Sequence, residues 1–342
     1  MRVSLWAAAG VLVVAAVTRI SGAGATHGLT PQAPCLLSQT GLFVPGTTTV
    51  DPHNRAYSPQ YPLWTDGALK ARWIRLPQGA TIDARDDDQW SFPVGTKFWK
   101  EFSFAGRRVE TRFLWRAQAD TWVFASYVWN NEQTDAALAP IEGVRQAADI
   151  GDGKRHSIPS IEDCHSCHES GNVLGFNALQ LSTDRDPLAP HAETLAPDMV
   201  TVKTLVDEQR LQPAKADLVT RPPRIDATSP VARAALGYLA TNCGICHHNG
   251  APIDTRLRLR AAKGQSTGDL LALLRTAPTS WEIPTVESGA TRFITPGHPE
   301  LSSLVTRMKS RRPSTQMPPL GTVTVDQDAL ALIKEWITEV PE

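Results

Sequence analysis

Apolar and polar residues alternate through residues 64–129, and short groups of turn-forming residues divide the alternation into segments. A period of two is typical of strands with one buried face, and aromatic residues at strand spacing are usually part of a core. Seven of the ten tryptophans lie in this stretch. The pattern predicts an antiparallel meander that buries one side of its sheet, with strands at 69–76, 96–104, 108–115 and 121–129 and tight connections at 105–107 and 116–120.

A helical period replaces the alternation towards the C-terminus. Ser229-Pro230 is typical of a helix start, and apolar residues recur on one side of the helix that would follow, up to residue 239. Residues 325–340 repeat the pattern, so the two helices can pack across each other, with Gly237 leaving room for Trp336 or Tyr238. Weaker patterns predict helices at 173–180, 200–210 and 299–311, and the polar stretch 130–154 is predicted to be a loop.

The first residues have the three regions of a secretory signal peptide. Met1 and Arg2 precede an apolar run at 5–17, and small residues follow at 21–23. An uncleaved membrane anchor is the alternative, but the run is shorter than the ~20 residues that span a bilayer. We therefore predict that residues 1–25 are a signal peptide, and we expect membrane attachment only if this leader remains uncleaved.

Four of the five cysteines fall into two motifs of the form Cys-x-x-Cys-His, at 164–168 and 243–247. This form is typical of covalent haem c attachment, in which two thiols add to the vinyl groups of one porphyrin and the following imidazole binds the iron. A four-cysteine zinc site, redox-active disulfides and structural disulfides are alternatives, but none of them requires a histidine at the same place twice. The predicted attachment residues are Cys164, Cys167, Cys243 and Cys246, and the predicted proximal ligands are His168 and His247.

Covalent haem is attached outside the inner membrane in bacteria, so the leader and the motifs together predict a periplasmic protein with two covalently bound haem c groups. Cys35 is then left over, and we expect it to be a buried thiol.

Each iron also requires a second axial ligand. Met317 lies in a proline-rich loop shortly before the last predicted helix, where a cytochrome c domain places its sixth ligand. A thioether there raises the reduction potential relative to a second imidazole. For the first haem, Met199 is the nearest downstream methionine, and the alternatives are His191, His156 or an open or water-bound iron. Met308 is expected to be a core residue.

Length and charge limit the remaining possibilities. The formal net charge is −1 and becomes more negative when Arg2 and Arg19 leave with the leader, which argues against a nucleic-acid partner. The 342 residues are enough for two or three domains. The predicted fold is α+β and multidomain: an antiparallel β-rich domain at 30–150, a first haem c segment at 151–225, and a mostly helical, cytochrome c-like domain with the second haem at 226–342.

Several short stretches carry a family resemblance: residues 36–43, 61–67, 70–74, 92–96, 100–102, 158–160 before the first motif and 238–242 before the second. On these stretches and the two motifs, the chain resembles a family of bacterial periplasmic di-haem c-type cytochromes with a β-rich N-terminal part. The resemblance covers nearly the whole mature chain. It implies export and two haems, and it does not imply a particular reaction.

These features favour a protein that passes single electrons between a periplasmic dehydrogenase, or another redox partner, and an acceptor. A second haem bound by His247 and Met317 needs no open position for this task, and partner docking is expected to use a small, transient interface. The alternative is a di-haem peroxidase or oxidase with an open iron on His168, for which Glu162 or Glu169 would have to act as the acid or base. As a third possibility, the tryptophan-rich domain binds a substrate or a partner enzyme and the haems are its electron outlet.

Overall fold

The computed structural model describes residues 31–168, 173–248, 259, 267–276 and 292–341. Residues Gln32–Glu342 form one compact unit. The predicted signal peptide, residues 1–25, and the acidic candidate Glu169 lie outside the described residues. The domain boundaries near residues 150 and 225 remain predictions.

The β part is organised around one antiparallel sheet of six strands. Its strand order is β1-β2-β4-β5-β6-β7, while β8 pairs with β9 and β10 pairs in parallel with β3. The strands of the described residues are β1 (Arg55–Ala56), β2 (Leu69–Arg75), β3 (Ile82–Asp83), β4 (Lys97–Phe104), β5 (Arg107–Gln118), β6 (Thr121–Trp129), β7 (Ala136–Leu138), β8 (Val144–Gly151), β9 (Lys154–Ile158) and β10 (Leu211–Gln212).

The predicted meander is confirmed, because β4, β5 and β6 are joined by short turns and β2 pairs with β4. Ala105 and Gly106 connect β4 to β5 with φ values of 46° and 76°. Two successive positive φ values suit the tight hairpin turns that match the twist of paired strands. The strand β5 continues to Gln118, so its turn to β6 is shorter than predicted.

Both faces of the sheet are buried, whereas the alternation predicted one buried face. The N-terminal segment covers one face with Leu37 and Leu42, which pack with Trp99, Phe113 and Tyr127. Part of the opposite face packs against the segment that follows the first motif, through residues that include Ile74, Phe98, Phe176, Leu181 and Leu205. The second covering layer comes from a distant part of the chain, so the period of two could not indicate it.

The loop predicted for 130–154 is wrong, because β7 joins the sheet and β8 pairs with β9 in a hairpin. The β8–β9 turn contains Asp152 and Gly153, with φ values of 52° and 68°. Most residues of both strands are at least partly exposed, which leaves little hydrophobic periodicity to detect. The predicted helix at 173–180 is also wrong, since these residues form turns.

Helices supply the rest of the regular structure, so the fold is α+β as predicted. Ser229 Oγ accepts a hydrogen bond from the Ala232 N–H at 3.0 Å and caps the helix that leads to the second motif. The helices of the described residues are α1 (Ile161–Cys167), α2 (Val202–Asp207), α3 (Asp217–Thr220), α4 (Pro230–Asn242), α5 (Thr267–Thr276), α6 (Ser303–Lys309) and α7 (Gln327–Glu339), with 3-10 segments at Leu37–Thr40 and Pro299–Leu301.

The apolar sides of α4 and α7 pack into one core, as predicted, and Met308 on α6 is buried in it. The helix predicted at 299–311 is instead the short 3-10 segment followed by α6. None of the described helices has the length and apolar character needed to cross a bilayer.

Gly237 on α4 makes room for Tyr61, and not for Trp336 or Tyr238 as predicted. A Cβ atom at position 237 would lie 2.2 Å from the Tyr61 ring. The Tyr61 hydroxyl donates a hydrogen bond to Asp186 at 2.9 Å. The segment before β2 therefore fits into α4 at the one position that has no side chain, which the helical period alone could not indicate.

Candidate functional site

One cavity of about 1760 Å³ is lined by both Cys-x-x-Cys-His motifs. Pockets for a single drug-sized ligand usually measure roughly 300–1,000 Å³, so this cavity is larger than one such site. The sequence-predicted residues that line it are Cys164, Cys167, His168, Cys243, Cys246, His247 and Met317. Residues that are far apart in the sequence are thus gathered around one interior space.

The first motif is itself helical. Ser160 caps α1, because its Oγ accepts from the Asp163 N–H at 3.0 Å while the Asp163 carboxylate accepts from the Ser160 N–H at 3.0 Å. This reciprocal pair is a capping box. The helix begins only three residues before Cys164, and the spacing of Ser160 and Asp163 is a sequence signal for it that was not used in the prediction.

Strand β6 supports the first motif through Phe124. The ring centroids of Phe124 and His168 are 5.4 Å apart, and those of Phe124 and His165 are 5.2 Å apart. His165 is exposed. The His168 N–H donates to the Cys164 carbonyl at 2.9 Å, which fixes the backbone at the predicted proximal ligand.

The second motif forms the end of α4. The Cys243 and Gly244 N–H groups both donate to the Leu239 carbonyl, at 3.0 and 2.9 Å. A Cβ atom at position 244 would lie 2.3 Å from the Ala240 carbonyl oxygen, so the tight end of this helix requires glycine. The His247 N–H then donates to the Cys243 carbonyl at 2.9 Å.

Met317 reaches the side of the cavity that Cys243 lines, since both residues also line a small adjoining pocket. The Met317 N–H donates to the Arg307 carbonyl at 3.0 Å. The loop after Met317 is held by Asp66, whose Oδ1 accepts from the N–H groups of Val323 and Thr324 at 2.7 and 2.9 Å. The β part therefore positions the loop that carries the predicted distal ligand.

The two motifs meet at their second cysteines. Their thiols interact, and the interaction with Cys246 lowers the pKa of Cys167. Burial raises the pKa of Cys243 to about 12. None of the cysteines is in a disulfide, and Cys35 is exposed, so its predicted burial is wrong. Cys35 lies at the sheet edge, where its carbonyl accepts from the Leu138 N–H at 2.9 Å.

The candidates for the distal ligand of the first haem do not line the large cavity. Met199 is outside it, and its N–H donates to the Ala196 carbonyl at 3.1 Å. His156 is buried, and its ring nitrogens lie 3.4 Å from Asp66 and 3.1 Å from Glu110.

The remaining candidate is also engaged elsewhere. His191 Nε2 is 2.9 Å from Asp326, and the ring is 4.7 Å from that of Trp64. Among the described lining residues, the imidazole and thioether side chains are those of His168, His247 and Met317.

Buried donors without partners border Met317. Trp64 Nε1 and the Nε and Nη1 atoms of Arg311 are buried and have no hydrogen-bond partner among the described residues. Both side chains line the small pocket together with Met317 and Cys243. Unsatisfied buried donors are rare in folded proteins. The arrangement fits a bound group with carboxylates, such as the propionates of a haem.

No family model, curated protein or solved structure matches the chain. The described residues also contain no group of three or more histidine, cysteine, aspartate or glutamate side chains that could hold a metal ion.

Proposed function

We propose that the protein is a periplasmic di-haem c-type cytochrome that transfers single electrons between a dehydrogenase, or another redox protein, and an acceptor. The observation that carries the proposal is that both Cys-x-x-Cys-His motifs and Met317 line one large cavity. Two independent attachment motifs would have no structural reason to share an interior space of this size unless they hold groups that work together.

The residues around the cavity fit two haems. The four thiols would attach them, and His168 and His247 would be the proximal ligands. Met317 would be the second axial ligand of one iron, and the unpartnered donors of Trp64 and Arg311 would hold carboxylates beside it. The haem iron, when bound, supplies one-electron chemistry, and its potential depends on axial ligands, buried charge and hydrogen bonds.

The contact between Cys167 and Cys246 supports transfer between two centres within the chain. The attachment points of the two motifs are neighbours, so an electron would travel only a short distance between the two haems. Export through the predicted leader would bring the chain to the compartment where haem c is attached. A periplasmic redox protein would then dock transiently to deliver or collect electrons.

One observation favours the second candidate, a di-haem peroxidase or oxidase. Among the described lining residues, no imidazole or thioether beyond His168, His247 and Met317 is available to fill a second axial position on the first iron. An iron that lacks such a ligand would be open to a small substrate. The Met317-bound centre would then supply the electrons.

The test begins with haem content. The full-length chain, produced with a haem c maturation system, should carry two haems by the pyridine haemochrome assay. Replacing Cys243 and Cys246 by serine should leave one, and Cys35→Ser should leave two. A chain that keeps both haems without Cys243 and Cys246, or that carries none, would contradict the proposal.

Low-temperature EPR of the ferric protein then separates the two candidates. Two low-spin signals that cyanide does not change would identify an electron carrier. A high-spin signal that cyanide converts to low spin would identify an open first iron and favour the enzyme.

A further inference from the structure

Three cations stand side by side on the face of the sheet that lines the cavity. Arg72 on β2 is the register partner of Lys100 on β4, and Lys100 is the register partner of Arg112 on β5. All three line the large cavity. Like charges directly opposite each other on neighbouring strands are destabilising, so this cationic row requires an electrostatic explanation.

The two outer cations have carboxylate partners. Arg72 Nη1 lies 3.0 and 2.9 Å from the two carboxylate oxygens of Glu193. Arg112 Nη2 lies 2.6 Å from Glu110, whose side chain is fully buried. These pairs neutralise the two ends of the row and leave Lys100, at its centre, without a carboxylate partner.

Lys100 has no such partner. Among the described residues, no carboxylate oxygen lies within 4.0 Å of its ammonium, which sits 4.8 Å from the centre of the Phe102 ring. Burial and the charges of Arg72, Lys70 and Arg112 hold the pKa of Lys100 well below its ordinary value. Burial without a counter-charge therefore favours the neutral amine of Lys100, and an anion bound beside it would restore the charged form.

A second donor in the row is also unsatisfied. Arg72 Nη2 is buried and has no hydrogen-bond partner among the described residues, although Nη1 of the same side chain is paired. The Arg72 side chain is 4% exposed. The row therefore offers the Lys100 amine, without a carboxylate partner, and an unpaired guanidinium N–H of Arg72 on adjacent strands that line the cavity.

The row lies near the first motif. Arg112 interacts electrostatically with the thiols of Cys164 and Cys167, and Lys100 interacts with that of Cys167. In a haem c, the thiols bond to one edge of the porphyrin and the propionates occupy the opposite edge. Cations close to both thiols are therefore better placed for an external anion than for the carboxylates of the haem itself.

We propose that the Arg72–Lys100–Arg112 row binds a small inorganic anion inside the cavity, beside the first haem attachment motif. The inference rests on the proposed function, because it takes the first motif to hold a haem. The inference goes beyond that function because it makes the first haem selective for anionic ligands over neutral ones. The row thereby gives the first haem a site that recognises anions. The second haem needs no such site, because Met317 would fill its second axial position.

The experiment uses the protein loaded with both haems, and haem content is measured first, so that failure of the proposed function is recognised separately. Ferric protein is titrated with azide, a small anion, and with imidazole, a neutral haem ligand, and binding is followed in the visible spectrum. Sulfate binding is measured by calorimetry, because sulfate tests the row without requiring an open iron. Chloride is kept low and constant throughout.

We expect azide or sulfate to bind the wild-type protein and Lys100→Gln to weaken that binding about tenfold, which corresponds to about 1.4 kcal/mol. Imidazole affinity should change less than twofold. Lys97→Gln is the matched control, because Lys97 is on the same strand, donates to the Thr40 carbonyl on the other side of the sheet, and carries the same charge. Lys100→Arg should retain anion binding.

Lys100→Met removes the same charge with an apolar side chain and should behave like Lys100→Gln, which guards against an effect of the glutamine itself. Equal anion affinity in wild-type and Lys100→Gln protein would overturn the proposal. The absence of both azide and sulfate binding in the wild-type protein would also overturn it. That result would mean that the row pairs with the carboxylates of the haem.

Discussion

The thiols of Cys167 and Cys246 interact and line the same cavity, although Cys167 ends the short helix α1 and Cys246 follows the long helix α4. Each is the second cysteine of its motif. Groups held by the two motifs would therefore lie close together, which has a direct magnetic consequence if both motifs carry haem.

We predict that the two ferric haems relax each other. In the variant with Cys243→Ser and Cys246→Ser, the remaining EPR signal should saturate at lower microwave power than the corresponding wild-type signal, because a nearby paramagnetic centre has been removed. Cys35→Ser, which changes an exposed cysteine outside the cavity, should leave the saturation behaviour unchanged. Identical saturation in the single-haem variant would mean that the centres are not neighbours.

Met317→His should lower the reduction potential of one centre, because an imidazole stabilises ferric iron more than a thioether does. Axial ligation and its surroundings set haem potentials over a wide range, so a change on the order of a hundred millivolts is expected in a spectroscopic redox titration. Met308→Leu is the control for loss of a buried thioether, since Met308 packs in the core formed with α4 and α7 and lines the small pocket beside Met317 without being a predicted ligand. Met199→Leu should also leave both potentials unchanged, because Met199 does not line the cavity. A change in either reduction potential in Met199→Leu would mean that Met199 is an iron ligand after all.

Gly237→Ala should destabilise the protein by about 1–3 kcal/mol, because the new Cβ would overlap the Tyr61 ring. Alanine has the higher helix propensity, but that gain is only about 1 kcal/mol and the clash outweighs it. Urea unfolding of Gly237→Ala, Tyr61→Ala and the double variant measures the coupling. The double variant should lose clearly less stability than the sum of the single variants, and an additive result would exclude the contact.

His156 should make stability depend on pH. Burial acts to lower its pKa, but the hydrogen bonds to Asp66 and Glu110 outweigh burial and raise the pKa above its ordinary value of 6.5. A raised folded-state pKa gives stability that is complete below the unfolded-state pKa and is lost as the pH rises through the folded-state value.

The advantage of wild-type protein over His156→Gln in urea unfolding should therefore shrink as the pH rises above about 6.5, by at most about 1.4 kcal/mol per pH unit for one proton. His53→Gln provides the comparison, because the His53 side chain is 76% exposed. A constant difference across this pH range would show that His156 is not held protonated by its two carboxylates.

The sequence by itself determined the local structure and the chemistry of the motifs. The strands at 96–104 and 121–129 and the Ser229-Pro230 helix start follow from side-chain alternation and capping, which act between residues close in the chain. The spacing of Cys164, Cys167 and His168 is equally local, and the haem hypothesis began from it and from the same spacing at 243–247. Where the local signal is weak, as in the exposed hairpin of β8 and β9, the sequence does not reveal the strands.

Only the tertiary structure decided which distant residues meet. The contact of Cys167 with Cys246, the fit of Tyr61 against Gly237, and the placement of Met199 outside the cavity each depend on how elements pack. The cationic row also required the strand register, because an alternating pattern shows which residues share a face but not which stand opposite each other. Contacts between distant residues are selected by the shapes and charges of whole surfaces, and no short stretch of sequence contains that information.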